Sequence, residues 1–262
     1  MSMSSTEPAL IPEIRHWLES FRPISLEEME ASHLMSRFDE KYIFHISKLH
    51  DFLRQLKDDY KVLSIRHRLL AEYENLYFDT PDLRSYHDHH NGKAARYKIR
   101  FRRYRDSGDC YFEVKRKDNR GLTHKERIAV RQMHRELSVP QIHFVERILN
   151  VPHLSLHPTL NNSFYRITLV NTENRERVTL DMLIHFQNSS RSKSLNDIVI
   201  SEVKQERHFY NSAFKRLMQR ERIFPISFSK YCVGTLLTHP GIKYNRFKPK
   251  LTLINKLSNE RV

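Results

Sequence analysis

The segment Arg96–Tyr104, RYKIRFRRY, decides how this chain of 262 residues is read. In a strand, residues two apart share a face, so Arg96, Lys98, Arg100 and Arg102 point one way and Tyr97, Ile99 and Phe101 the other. The next strand repeats the pattern, with Glu113, Lys115 and Lys117 opposite Phe112 and Val114. Beyond the turn at Asn119-Arg120-Gly121, Lys125 and Arg127 share a face, opposite Ile128 and Val130. Nearer the start, Arg37, Asp39 and Lys41 stand against Phe38 and Tyr42. Further on, Arg177, Thr179 and Asp181 oppose Val178, Leu180 and Met182, and Glu202, Lys204 and Glu206 oppose Val203. One such face is the wet side of an ordinary antiparallel sheet. A set of them is different, because stacked like charges destabilise a solvated face.

A sheet of this kind can close into a barrel, with its apolar faces outward against helices and its charged faces lining a tunnel. Confined cations are costly unless compensated. A chain of phosphates supplies that compensation through charge-assisted hydrogen bonds, and guanidinium forks match phosphate oxygens in pairs. Carboxylates on the same face then call for a cation of their own, and oxygen ligation beside phosphates suits Mg2+ or Mn2+. The overall balance agrees: 45 basic against 31 acidic residues give a formal net charge of +14, which attracts polyanions.

Composition narrows the class. Hydrophobic residues make up 39% of the chain and only 5 residues are Gly, which excludes a disordered or collagen-like protein. Two cysteines, Cys110 and Cys232, cannot build a disulfide framework or a four-thiolate zinc site. No stretch approaches the ~20 apolar residues of a membrane span, and Met1–Glu7 lacks a signal-peptide pattern, so a cytoplasmic location is expected.

Helix signals flank the strands. Ser25 with Glu28 forms a capping box, and Ser47 is expected to cap a helix carrying Leu49, Phe52, Leu53 and Leu56 on one face. Thr80-Pro81 predicts a third helix start, capped by Asp79 and Asp82. Helices are also expected over 140–149, over 212–223 and after Ser229, whereas 242–262 carries no clear pattern. Trp17, Leu18 and Ile14 read as a helix face packed on the sheet. The run His87, Asp88, His89, His90 reads as a solvated helix end, since consecutive helical positions diverge. The expected division is a helical extension over 1–35, a tunnel domain over 36–240 and a basic tail over 241–262.

The ordered motifs RFDEKY (Arg37–Tyr42), YFDTPDL (Tyr77–Leu83), KIRFRRY (Lys98–Tyr104), FEVKRK (Phe112–Lys117) and HKERI (His124–Ile128) continue with FYR (Phe164–Arg166), RVTLD (Arg177–Asp181), SEVK (Ser201–Lys204) and FSKY (Phe228–Tyr231). Together they closely resemble the VTC domain of the triphosphate tunnel metalloenzyme (CYTH-like) superfamily, over roughly Arg37 to Gly234. The resemblance implies an α+β fold, an antiparallel eight-stranded β-barrel tunnel with flanking helices. It implies polyphosphate synthesis from ATP, with inorganic triphosphatase activity as the alternative, and Mn2+ or Mg2+ as cofactor. Carried over by motif, Lys41, Arg100, Arg102, Lys115, Lys125, Arg166 and Arg177 bind phosphates. Ser229 and Lys230 contact phosphate at one tunnel end, and Glu202 holds the metal. Strand alternation adds Arg127 and Lys204 to the substrate set, and Glu113 and Asp181 as weaker metal candidates that could instead pair with tunnel cations.

Two departures from the family pattern stand out. Asp39 occupies a position where related proteins tend to carry Glu, which puts its direct metal contact in doubt. Phe164 replaces an expected tyrosine, unless Tyr165 supplies the hydroxyl.

Fungal relatives work beside membrane-spanning subunits, so the basic stretch Lys243–Lys250 could meet a membrane protein or an anionic surface; a solvated segment is the plainer expectation. A nucleic-acid-binding module is disfavoured, because the basic residues sit opposite apolar ones rather than beside exposed stacking aromatics. A polyphosphate sensor without turnover is a third reading.

Overall fold

A computed structural model describes residues 7–31, 37–206 and 211–258. The side chains of Arg37 and Phe38, read above as opposite faces of the first strand, lie outside the described set. The first elements are α1 (Glu7–Leu18), β1 (Arg22–Ile24), α2 (Leu26–Ala31), β2 (Arg37–His45), α3 (Leu49–Leu56) and β3 (Lys61–Leu63). The middle comprises β4 (Leu70–Asp79), α4 (Arg84–His90), β5 (Arg96–Tyr104), β6 (Cys110–Lys117), β7 (Thr123–Val130) and α5 (Val139–Leu149). Then follow β8 (His157–Asn171), β9 (Glu176–Gln187), β10 (Ser192–Leu195), β11 (Ile198–Glu206), α6 (Ala213–Arg220), α7 (Lys230–Thr238) and α8 (Lys248–Ser258).

The architecture is α+β, a curled antiparallel sheet with α1, α3, α5 and α6 on its outside and α4, α7 and α8 packed into the cluster at one end of its concave face. Its main path runs β2-β11-β9-β8-β4-β5-β6-β7, and each neighbouring pair is antiparallel. Period-two alternation holds on β5, where Tyr97, Ile99 and Phe101 are buried against Phe144, Val145 and Ile148 of α5. On the other half of the sheet, Val178, Leu180, Met182 and Val203 pack beneath α1, α3 and α6. Ile14 and Leu18 of α1 are fully buried there, as the helix-face reading requires. A further apolar cluster lies inside the curl, where Tyr231, Cys232 and Val233 of α7 pack on Leu160, Ile184 and Phe186. Helix α7 therefore packs at one end of the concave face.

Closure into a full barrel is not made by strand pairing: among the described residues β7 pairs only with β6, and β2 only with β11.

Helix starts differ in detail. Ser25 and Glu28 make the expected reciprocal bonds, at 2.8 and 3.2 Å. Ser47 does not cap α3; it sits in a 3-10 turn whose cap is His45. The third helix begins only at Arg84, after Leu83 in a left-handed conformation, because Asp79 gathers the amides of Thr80, Ser85 and Tyr86. Asp88 and His90 are buried rather than solvated, since Phe247 packs across α4. The stretch without pattern holds α8, which buries Ile254. Among the described residues no helix is long and apolar enough to cross a membrane.

Gly234 shows how tightly α7 is seated: a Cβ there would lie 2.4 Å from Phe186 Cδ1 and 2.7 Å from Leu160 Cδ2. Gly234→Val is expected to destabilise the protein by roughly 1–3 kcal/mol through overpacking, read as a lower urea midpoint.

Candidate functional site

The cations of the concave face owe their direction to apolar neighbours on the other side of each strand. Burial of Tyr97, Ile99 and Phe101 turns Lys98, Arg100 and Arg102 inward. Arg100 donates from Nε to Glu113 Oε2 at 2.8 Å and from Nη1 to the Tyr77 hydroxyl at 3.2 Å. Lys125 reaches the other oxygen of Glu113 at 2.5 Å, so one carboxylate, only 1% exposed, holds two cations. Arg166 grips Asp181 with both prongs, at 2.5 and 2.7 Å, and Lys230 binds the same carboxylate. The Arg166 guanidinium lies 4.9 Å over the Tyr73 ring and 5.3 Å over Phe164. Glu202 takes Lys41 on one oxygen and Lys204, 3.5 Å away, on the other.

Lys115 shows that the two ends of the strand order meet. It stands on β6, yet its charge is felt with Glu202 and Lys204 of β11 and Lys41 of β2. Strands β6 and β2 are six places apart, roughly 29 Å in a flat sheet and beyond the reach of screened charges. Curling removes that separation.

The remaining sequence-derived residues fall along the same face. Arg177 is opposite Lys204 in register, and Lys204 is opposite Asp39, which is exposed. Arg127 stacks 4.4 Å over Tyr111, at the end away from α7. Ser229 caps α7 by accepting from the Cys232 amide and also accepts from Lys98 Nζ at 2.8 Å. Tyr165 packs with the outer core, so it does not replace the hydroxyl absent at Phe164.

Three residues of β4 escaped the sequence reading: Tyr73, Asn75 and Tyr77. Asn75 accepts from Arg102 Nε at 3.0 Å and donates to Asn162 Oδ1 at 3.4 Å, fixing that guanidinium from below. Their signal was the same period of two, hidden because their side chains carry no charge.

The sequence model of the VTC domain matches residues 36–239. The chain belongs to the VTC domain family. Among curated protein sequences none matches it significantly. Solved structures resembling this VTC domain include a Bacillus halodurans protein provisionally assigned as an adenylate cyclase, 14% identical, with a TM-score of 0.48 over 74% of this chain and 96% of that one. Another is a protein of Pyrococcus horikoshii, 10% identical, with a TM-score of 0.42 over 76% of this chain and 98% of that one. A Hippeastrum protein described as having a dominant triphosphatase activity is 14% identical, with a TM-score of 0.38 over 79% of this chain and 98% of that one. At such scores these likenesses add nothing to the fold, which stands on the strand order itself.

Among the described residues of this VTC domain, no three Asp, Glu, His or Cys side chains gather into a metal cage. A divalent ion that arrives with phosphates needs only one or two carboxylates from the protein. Glu202 fits that requirement. Burial alone would raise its pKa, but Lys204 and Lys41 hold it far below the usual carboxylate range. Asp181 and Glu113 are likewise held down, against burial, by Arg166 and Lys230 and by Arg100, Arg102 and Lys125. All three carboxylates are ion-paired, but the Glu202 side chain is 21% exposed against 2% for Glu113 and 4% for Asp181, which leaves it the accessible one.

Lys115 is the responsive cation. Burial first, then Lys98, Lys204 and Lys41, push its ammonium down to about 8 against an upward pull from Glu202. Below that pH it attracts anions; above it the neutral amine does not, and a bound anion draws a proton back. Relative to Lys115→Arg, whose charge persists, the wild type is expected to lose about tenfold in tripolyphosphate affinity between roughly pH 7 and 9.5. Titration calorimetry should also detect proton uptake near the pH of half-ionisation.

Proposed function

We propose that this VTC domain binds a nucleoside triphosphate through its phosphates and transfers the terminal phosphoryl group to the end of a polyphosphate chain. The convergence of Arg100, Arg102, Lys115 and Arg166 on one concave face carries this reading. These cations, spread over β5, β6 and β8, surround an elongated polyanion more naturally than a compact one. They also face inward, which works against a nucleic-acid duplex as partner.

Phosphoryl transfer asks a protein for positioning and charge neutralisation more than for covalent help. Arg166, held flat between rings and Asp181, presents a fixed fork to phosphate oxygens, and Asn75 aims Arg102 in the same way. Lys41, Lys115, Lys125, Arg177, Lys204 and Lys230 add charge around the chain, Ser229 adds a hydroxyl at the α7 end, and Arg127 sits at the other. Glu202 would hold Mn2+ or Mg2+, with Asp39 within one register step; such an ion neutralises phosphate oxygens. In the transfer, the bond between the γ-phosphorus and its bridging oxygen breaks and a bond to the terminal chain oxygen forms. Nucleoside diphosphate leaves, and the chain is longer by one unit.

Ion pairing of the carboxylates supports synthesis over hydrolysis: Glu113 and Asp181 each hold two cations and are not free to take a proton from water. An ionised phosphate end needs no such base. We assign the tunnel unit to 36–240, with 1–35 and 241–262 as additions to it.

Incubation with ATP and Mn2+ is expected to give long-chain polyphosphate. Lys115→Met should lower turnover by about a hundredfold or more with an unchanged melting temperature. Full activity in that variant would refute the tunnel assignment. Orthophosphate from tripolyphosphate, without chains from ATP, would shift the assignment to triphosphatase.

A further inference from the structure

In the middle of the tunnel Lys41, Arg100, Lys125, Arg166 and Lys230 each have a carboxylate partner. Toward the end where α7 packs, four more cations gather. Arg96 and Lys117 face each other directly across β5 and β6. Lys98 follows two residues on, and its Nζ donates to the Ser229 hydroxyl. Lys250 arrives from α8, 4.9 Å over the Phe247 ring. Among the described residues, none of these cations forms an ion pair.

His89 of α4 lies against the same Phe247 ring, at 6.2 Å, and its Nδ1 is buried with no hydrogen-bond partner. Burial first, then Lys98, Arg96, Lys250 and Lys117, lower its pKa to about 3, so the ring is neutral and can donate without adding charge. Like charges directly opposite on paired strands weaken a sheet, and half-buried cations are costly without a counter-charge. A ligand carrying negative oxygens would relieve both costs and give the orphaned imidazole nitrogen a partner.

We propose that Arg96, Lys98, Lys117 and Lys250, with His89, form a second phosphate-binding stretch, which takes phosphoryl units of a chain running on beyond the tunnel. This rests on the tunnel reading and extends it: the preferred ligand is a polyphosphate longer than a triphosphate. Part of the stretch is supplied by α8, which lies outside the span of 36–239 that the VTC domain accounts for.

The test compares the affinities of tripolyphosphate and long-chain polyphosphate at one fixed salt concentration. For Lys250→Gln and for Arg96→Gln, long-chain affinity should fall about tenfold, roughly the loss of one charge-assisted contact, while tripolyphosphate affinity holds within about twofold. Lys250→Arg should restore long-chain binding. Equal weakening of both ligands, or of neither, overturns the proposal. Arg166→Ala, run in parallel, separates the two claims: if tripolyphosphate still binds that variant normally, the tunnel reading is what has failed.

Discussion

The structure depends on the β5–β6 pair and on the face of it that α5 covers. Tyr97, Ile99, Phe101, Phe112 and Val114 are committed to the outer core. A slip of one residue would exchange them for Lys98, Arg100, Glu113 and Lys115, and burying those unpaired charges beneath α5 is prohibitive. Register is thus set by apolar burial, and the functional side chains are placed by elimination. The same logic runs through β9 and β11, where Val178, Leu180 and Val203 leave Arg177, Asp181, Glu202 and Lys204 facing inward.

Concentrating cations on a concave surface creates a problem that the protein meets with a few carboxylates. Glu113 and Asp181 each hold two cations, and Glu202 holds Lys41 with Lys204 close by. These pairs keep long side chains extended and directed before any ligand arrives. A phosphate chain competes for the same donors, so the carboxylates act as placeholders whose grip must be partly released on binding. Aromatic rings do the complementary work: the stacked Tyr73 and Phe164 rings both lie against the Arg166 guanidinium, and Tyr77 lies under Arg100. They orient charge without neutralising it.

Local rules made much of this legible in the primary structure. Alternation assigned the inward face of β5, β6, β9 and β11 correctly, and Ser25 and Ser229 marked the starts of two helices. What escaped were facts about distant partners. Asn75 gains its role only from Arg102, 27 residues on. Asp79 caps α4 as expected, but the Tyr231 hydroxyl of α7 that closes the same carboxylate could not be read locally. The histidines of α4 looked solvated until Phe247 folded back over them. Whether the sheet closes was beyond any pattern, since β2 and β7 lie at opposite ends of the strand order.

Diffraction from crystals grown with tripolyphosphate tests the central claim most directly. The account predicts an extended row of phosphorus peaks between Arg100, Arg102, Lys115 and Arg166, with the Glu113 and Asp181 pairs loosened to release their donors. Peaks confined to the outer surface, or a sheet opened flat with these side chains scattered into solvent, would contradict it.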